Sequence, residues 1–153
     1  MSEVPTAEDV PSSSSLGILI VDDEEAITES LALTLGTEYP VYTAQTGTEG
    51  LEILDREKVA LIICDQVMPG MTGVEFFETV VKRHPRPLRI MLTGYADMQS
   101  LVRAINDGQI YRYIAKPWEP DDLRLDVRRA MESYRLMSEN VRLAENLAAA
   151  NER

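Results

Sequence analysis

Short runs of β-branched and apolar residues alternate with amphipathic stretches through most of the chain. The runs at 17–22, 40–44, 60–65, 88–93 and 111–115 predict strands, and the patterns near 25–36, 47–57, 73–84 and 97–108 predict helices. In Gly17-Ile-Leu-Ile-Val21 and Ala60-Leu-Ile-Ile-Cys64 apolar side chains occupy consecutive positions, so both faces of each strand call for cover. Regular alternation of strand and helix then predicts an α/β fold: a parallel sheet between two helical layers, joined by right-handed crossovers.

The two ends of the chain follow other patterns. Residues 1–15 are polar, Pro/Ser-rich and aperiodic, which predicts a disordered lead-in. After Pro120 neither Pro nor Gly occurs, and Leu123, Val127, Ala130, Tyr134, Met137, Val141, Ala144 and Ala148 follow alternating 4-and-3 spacing. A second seam of Leu136, Asn140, Leu143, Leu147 and Ala150 runs beside it. About 30 helical residues span roughly 45 Å, more than a domain of this size can cover. We therefore divide the chain into the lead-in 1–15, a globular domain at 16–132 and a helical extension at 133–153. The extension is expected to act as a linker that pairs two copies in a parallel coiled coil through Tyr134, Met137, Asn140, Leu143 and Leu147. Asn140 at an a position of the second seam suits specific two-stranded pairing. The competing expectation is a frayed helix exposed to solvent. The helical pattern still runs at Arg153, so an output domain beyond it is a further possibility.

Composition narrows the function classes. A net charge of −11 argues against direct nucleic-acid binding, and Arg86 with Arg89 or Arg128 with Arg129 read as isolated surface pairs. No apolar stretch is long enough to span a bilayer, and no signal core precedes residue 16. One cysteine, Cys64, permits no internal disulfide and suits a reducing, cytoplasmic setting; its place in an apolar run predicts burial.

The chemistry gathers at strand ends. Asp22 and Asp23 follow the first apolar run, Asp65 the third, Thr93 ends the fourth and Lys116 the fifth. Ligands of open parallel sheets bind outside the carboxyl ends of the strands. Three carboxylates there are costly unless a cation or proton neutralises them. These residues predict a divalent-metal site with a spare carboxylate able to act as nucleophile. The turn-rich Met68-Pro-Gly-Met-Thr-Gly73 leads from Asp65 into the next helix. A lone strand-end Asp more often caps a helix, and Asp22 and Asp23 could serve Glu24 and Glu25 in that way.

In order, Val21-Asp22-Asp23, Cys64-Asp65-Gln-Val-Met-Pro69-Gly, Leu92-Thr93-Gly94 and Ala115-Lys116-Pro117 resemble the receiver domains of bacterial two-component response regulators, from residue 17 to about 130. The resemblance implies a flavodoxin-like, CheY-like five-stranded parallel sheet of order 2-1-3-4-5, here with an extended C-terminal helix. It implies that Asp65 accepts a phosphoryl group from a sensor histidine kinase. Asp22, Asp23, Asp65 and the backbone carbonyl of Val67 would hold Mg²⁺. Thr93 and Tyr113 would form a conformational switch, with Lys116 beside the acceptor and a cis Lys116-Pro117 bond. Such a domain catalyses only its own phosphorylation and dephosphorylation, and its switch would alter dimerisation or output through the last helix.

Other readings stand beside this one. A phosphorylation-independent interaction module would keep its partners when Asp65 becomes Asn. A Mg²⁺-dependent phosphatase that forms an aspartyl phosphate would carry a second Asp two residues after the nucleophile, where Val67 stands. Val67 and Tyr95 flank the acceptor as bulky side chains and are expected to slow water entry; a short half-life of phosphorylated Asp65 would count against that. The string Gly108-Gln-Ile-Tyr-Arg-Tyr-Ile-Ala-Lys-Pro-Trp118 is similar to receivers joined to signalling enzymes and to some hydrogenase-type transcriptional regulators. His84 reads as a helix C-cap, and Trp118 as packing at the start of the last helix.

Overall fold

The computed structural model describes residues 16–94 and 109–151. The expected lead-in at 1–15, the helix near 97–108 and Tyr95 lie outside the described residues. Five parallel strands form one sheet: β1 (Gly17–Val21), β2 (Val41–Ala44), β3 (Val59–Asp65), β4 (Leu88–Thr93) and β5 (Arg112–Ala115). Their order is β2-β1-β3-β4-β5, as the resemblance implied. The helices are α1 (Glu25–Leu35), α2 (Gly47–Arg56), α3 (Gly73–Arg83) and α4 (Pro120–Asn151).

The continuous apolar runs divide between two cores. Ile18, Ile20, Leu61, Ile63, Ile90 and Leu92 pack with Leu31 and Leu35 of α1 and with Leu123, Val127, Ala130 and Met131 of α4. Leu19, Val21, Ile62, Cys64 and Met91 point to the opposite face, against Ile53 and Leu54 of α2 and Phe76, Phe77 and Val80 of α3. A strand with alternate residues in two cores needs no polar face, which is why β1 and β3 read as unbroken apolar stretches. Each fully buried Ile, Leu or Phe contributes about 1.5–3 kcal/mol before chain entropy is counted. Side chains cap the starts of α2 and α3. Thr46 accepts from Glu49 N at 3.1 Å at the head of α2, and Thr72 and Glu75 form a reciprocal capping box on α3. At the far end of α3, His84 is the C-cap, and its ring nitrogen lies 2.8 Å from Asp55 of α2.

Arg89 corrects a sequence expectation. It is buried rather than surface charge, and its guanidinium donates to the carbonyls of Pro87 at 2.8 Å and Gln109 at 2.7 Å. Backbone carbonyls satisfy the group, so it staples the entry of β4 to the entry of β5. Sequence periodicity carries no sign of this, because the Gln109 carbonyl lies 20 residues from Arg89 along the chain.

Helix α4 has two unlike halves. Leu123, Val127, Ala130 and Met131 are buried, and Tyr134 and Trp118 are half-buried against the same core. Beyond them Leu136, Met137, Asn140, Val141, Leu143 and Leu147 are exposed. Its 32 residues run about 48 Å, so the second half extends past the sheet.

Candidate functional site

The carboxyl ends of β1, β3, β4 and β5 bring together Asp22, Asp23, Asp65, Thr93 and Lys116. Asp22 directly follows β1, and its backbone N donates to Ala44 O at 3.0 Å, which extends the pairing with β2 by one residue. Asp65 is the last residue of β3 and lies opposite Leu92 of β4. Carboxylate oxygens of Asp22, Asp23 and Asp65 lie within 4.8 Å of one another. Asp22 and Asp65 are buried, whereas Asp23 is exposed.

These like charges are only partly compensated. Lys116 Nζ contacts Asp65 Oδ1 at 2.7 Å. Burial acts to lower the Lys116 pKa, but the hydrogen bond and charge of Asp65, with Asp22 and Glu24, prevail and raise it. Burial pushes Asp22 up to about 6, aided by the charges of Asp65 and Asp23 and opposed by the Glu24 N–H and by Lys116. Asp22 Oδ1 accepts from Glu24 N at 2.9 Å, which orders the turn into α1, although α1 itself starts without a side-chain cap. Asp22 Oδ2 is buried and has no hydrogen-bond partner among the described residues. An orphaned carboxylate oxygen facing two further carboxylates is a hard-oxygen donor set that fits a small divalent cation.

Thr93 and Lys116 are joined through the backbone, since Lys116 N donates to Thr93 O at 2.9 Å. The buried Thr93 hydroxyl donates to the carbonyl of Gly94 at 3.2 Å, a local bond that a stronger acceptor could replace. Tyr113 lies opposite Met91 on edge strand β5 and is 36% exposed. The peptide bond between Lys116 and Pro117 is cis. Cys64 is buried beneath the site, and burial, with the charges of Asp65 and Asp22, holds its thiol well above the usual range.

The loop after Asp65 closes on Gln66. Val67 is exposed, Met68 is buried, and Gly70 adopts φ +83°, a left-handed turn suited to glycine. Gln66 N donates to Leu92 O at 3.1 Å, and Gly73 N donates to Gln66 O at 2.9 Å. The Gln66 side chain accepts from Val74 N at 3.1 Å. A Cβ on Gly73 would stand 2.7 Å from the Asp65 carbonyl, so only glycine lets α3 approach this closely. The sequence reading singled out neither the Gln66 side chain nor this role of Gly73. No local pattern announces them, because both act between chain segments.

Residues 18–128 match the family model described as the response regulator receiver domain. The hydrogenase transcriptional regulatory protein HoxA of Cupriavidus necator is 42% identical over 126 residues, 82% of this chain and 26% of that protein. The C4-dicarboxylate transport transcriptional regulatory protein DctD of Rhizobium meliloti is 33% identical over 141 residues, 92% of this chain and 30% of that protein. The chain thus spans about a quarter to a third of the length of these curated relatives. Among solved structures, the receiver domain of NtrX from Brucella abortus superposes with a TM-score of 0.69 at 33% identity, covering 75% of this chain and 98% of that one. A structure described as adenylate cyclase from Rhodopirellula baltica gives a TM-score of 0.82 at 28% identity, covering 84% and 96%. With the strand order and the strand-end residues in agreement, the chain belongs to the response regulator receiver domains, signalling domains rather than classical enzymes.

Proposed function

We propose that this receiver is a phosphoacceptor switch in which Asp65 takes a phosphoryl group from a sensor histidine kinase. The observation that carries this reading is the 2.7 Å contact of Lys116 with Asp65, beside two further carboxylates. An Asp65 oxygen forms a bond to phosphorus while the phosphorus–nitrogen bond of a phosphohistidine breaks. The imidazole leaves with the bonding pair and takes up a proton. Asp65 is a weak nucleophile, so alignment and charge neutralisation dominate the rate. A Mg²⁺ ion held by Asp22, Asp23, Asp65 and the Val67 carbonyl would neutralise the carboxylates and align the phosphoryl oxygens. Lys116 begins on the Asp65 carboxylate and follows the charge onto the phosphoryl oxygens.

The new group adds roughly one to two negative charges and three strong acceptors. In this reading the Thr93 hydroxyl leaves the Gly94 carbonyl for a phosphoryl oxygen. Tyr113 then moves from its exposed position into the space released, repacking the surface around β5 and α4. The distal half of α4 carries the change to a homodimeric coiled coil through Met137, Asn140, Leu143 and Leu147, with Tyr134 at its root. The names of the relatives support an output in transcriptional control, through chain outside the receiver rather than direct nucleic-acid contact by it. Among the described residues no helix is long and apolar enough to cross a membrane.

Light scattering after size exclusion tests the switch, with Mg²⁺ alone and with beryllofluoride as phosphoryl mimic. Monomer turning to dimer on beryllofluoride is the expected result. A dimer under both conditions makes the coiled coil constitutive and the signal a rearrangement within it. A monomer under both overturns the dimer.

A further inference from the structure

We propose that Gln66 is a positioning residue for the cation site: it fixes the loop that carries the Val67 carbonyl by binding the N-terminus of α3. This rests on the reading of Asp22, Asp23, Asp65 and Val67 as Mg²⁺ ligands. An α-helix begins with four N–H groups that have no partner inside the helix. In α3 all four are taken, and two go to Gln66. Gly73 N donates to the Gln66 carbonyl at 2.9 Å, and Val74 N to its side-chain Oε1 at 3.1 Å. Glu75 N goes to the Thr72 hydroxyl at 3.1 Å and the N-cap Thr72 N to Glu75 Oε1 at 2.8 Å. The helix already has a complete capping box, so Thr72 and Glu75 suffice to start it. What Gln66 adds is a link from that start to the residue next to Asp65.

The consequence is geometric. Residues 67–72 leave the sheet at Gln66 and return to Gln66, so both ends of the loop are pinned one residue from Asp65. Gly73 presses the first turn of α3 onto the Asp65 carbonyl, closer than any Cβ would allow. Val67 is the first residue of the closed loop, and its side chain is exposed. With that side chain 65% exposed, the carbonyl direction is set chiefly by the two ends of the loop. A backbone carbonyl is a useful metal ligand only when its direction is fixed, and groups that orient ligands are worth several-fold in affinity. The helix donors are engaged with Gln66, so the site does not spend them on an anion at the α3 N-terminus.

The test compares Gln66→Met, Gln66→Glu and Asp65→Asn with the unaltered chain. Met keeps the length and volume but lacks the acceptor, whereas Glu keeps an acceptor oxygen for Val74 N. Mg²⁺ binding is read by titration calorimetry, the exchange rate of the Val74 amide by NMR, and folding by thermal melting. Gln66→Met is expected to speed Val74 exchange and weaken Mg²⁺ about 3- to 10-fold with the fold retained. Gln66→Glu is expected to restore slow exchange and to bind at least as well as the unaltered chain. Mg²⁺ binding by Gln66→Met equal to that of the unaltered chain, with Asp65→Asn impaired, would overturn the proposal alone. Equal Mg²⁺ binding by the unaltered chain and Asp65→Asn would overturn the cation site itself.

Discussion

The acidic pocket and the distal half of α4 are both incomplete, in opposite physical senses. The pocket holds unsatisfied charge: Asp22 Oδ2 is buried without a hydrogen-bond partner among the described residues, and oxygens of three carboxylates lie within 4.8 Å of one another. The helix holds unsatisfied apolar surface, with Met137 53% and Leu147 66% exposed. The pocket is over-determined, since four strand ends, a capped helix and a closed loop fix its atoms. The distal helix keeps exposed apolar side chains beside the ion pairs of Arg135 with Glu132 and Glu139, and Leu147 belongs to neither core. The pocket can therefore choose its ligand by geometry, while the helix can register only whether a partner is present.

Four experiments probe that contrast. The largest effect is expected from Asp65→Asn, which removes the nucleophile while keeping size. Transfer from a small phosphodonor should fall below detection, read as the absence of a phosphoryl mass gain on the intact protein. Retained phosphorylation would move the acceptor elsewhere. Next is Val127→Asp, in the half of α4 that packs on the sheet. Burying a carboxylate in that core without a partner should cost several kcal/mol and lower the melting temperature steeply. A small change there would mean that α4 is not part of the fold's core.

Asp22→Asn tests the unsatisfied charge. The folded-state pKa of Asp22 is raised from 3.8 to about 6, so the native state holds its proton more tightly than the unfolded chain. Its protonated form contributes stability below pH 4 that is lost as pH rises through about 6. Asn lacks that loss. The variant should match the unaltered chain near pH 4 and exceed it above pH 6, by on the order of 1–3 kcal/mol without Mg²⁺. Saturating Mg²⁺ should shrink or reverse the difference, because the cation favours the ionised carboxylate. Equal denaturation midpoints at pH 7 would sink this account. The smallest effect on folding is expected from Leu143→Asp, within about 0.5 kcal/mol. That substitution should still abolish the beryllofluoride-induced dimer, and a dimer that survives it would place the pairing surface elsewhere.

Much of the site was legible because its residues stand next to their own strands. Asp22, Asp65, Thr93 and Lys116 follow apolar runs, and a parallel sheet brings the carboxyl ends of its strands to one edge. Arg89 and Gln66 were not legible in this way. Each bonds backbone groups across a loop, Arg89 to the Gln109 carbonyl and Gln66 to the Val74 N–H, and such pairing has no periodicity to read.

The sequence by itself determined the strand and helix alternation, the two-sided apolar strands and the chemistry at their ends. Those follow from side-chain type and spacing along one chain. Only the tertiary structure decided that Asp22 is buried while the adjacent Asp23 is exposed, and that Gln66 closes the loop beside Asp65. It also decided where the apolar seam of α4 passes from core to surface, near Tyr134. Burial and hydrogen-bond pairing depend on which segments meet in space, and one run of letters can lie against a sheet at one end and beyond it at the other.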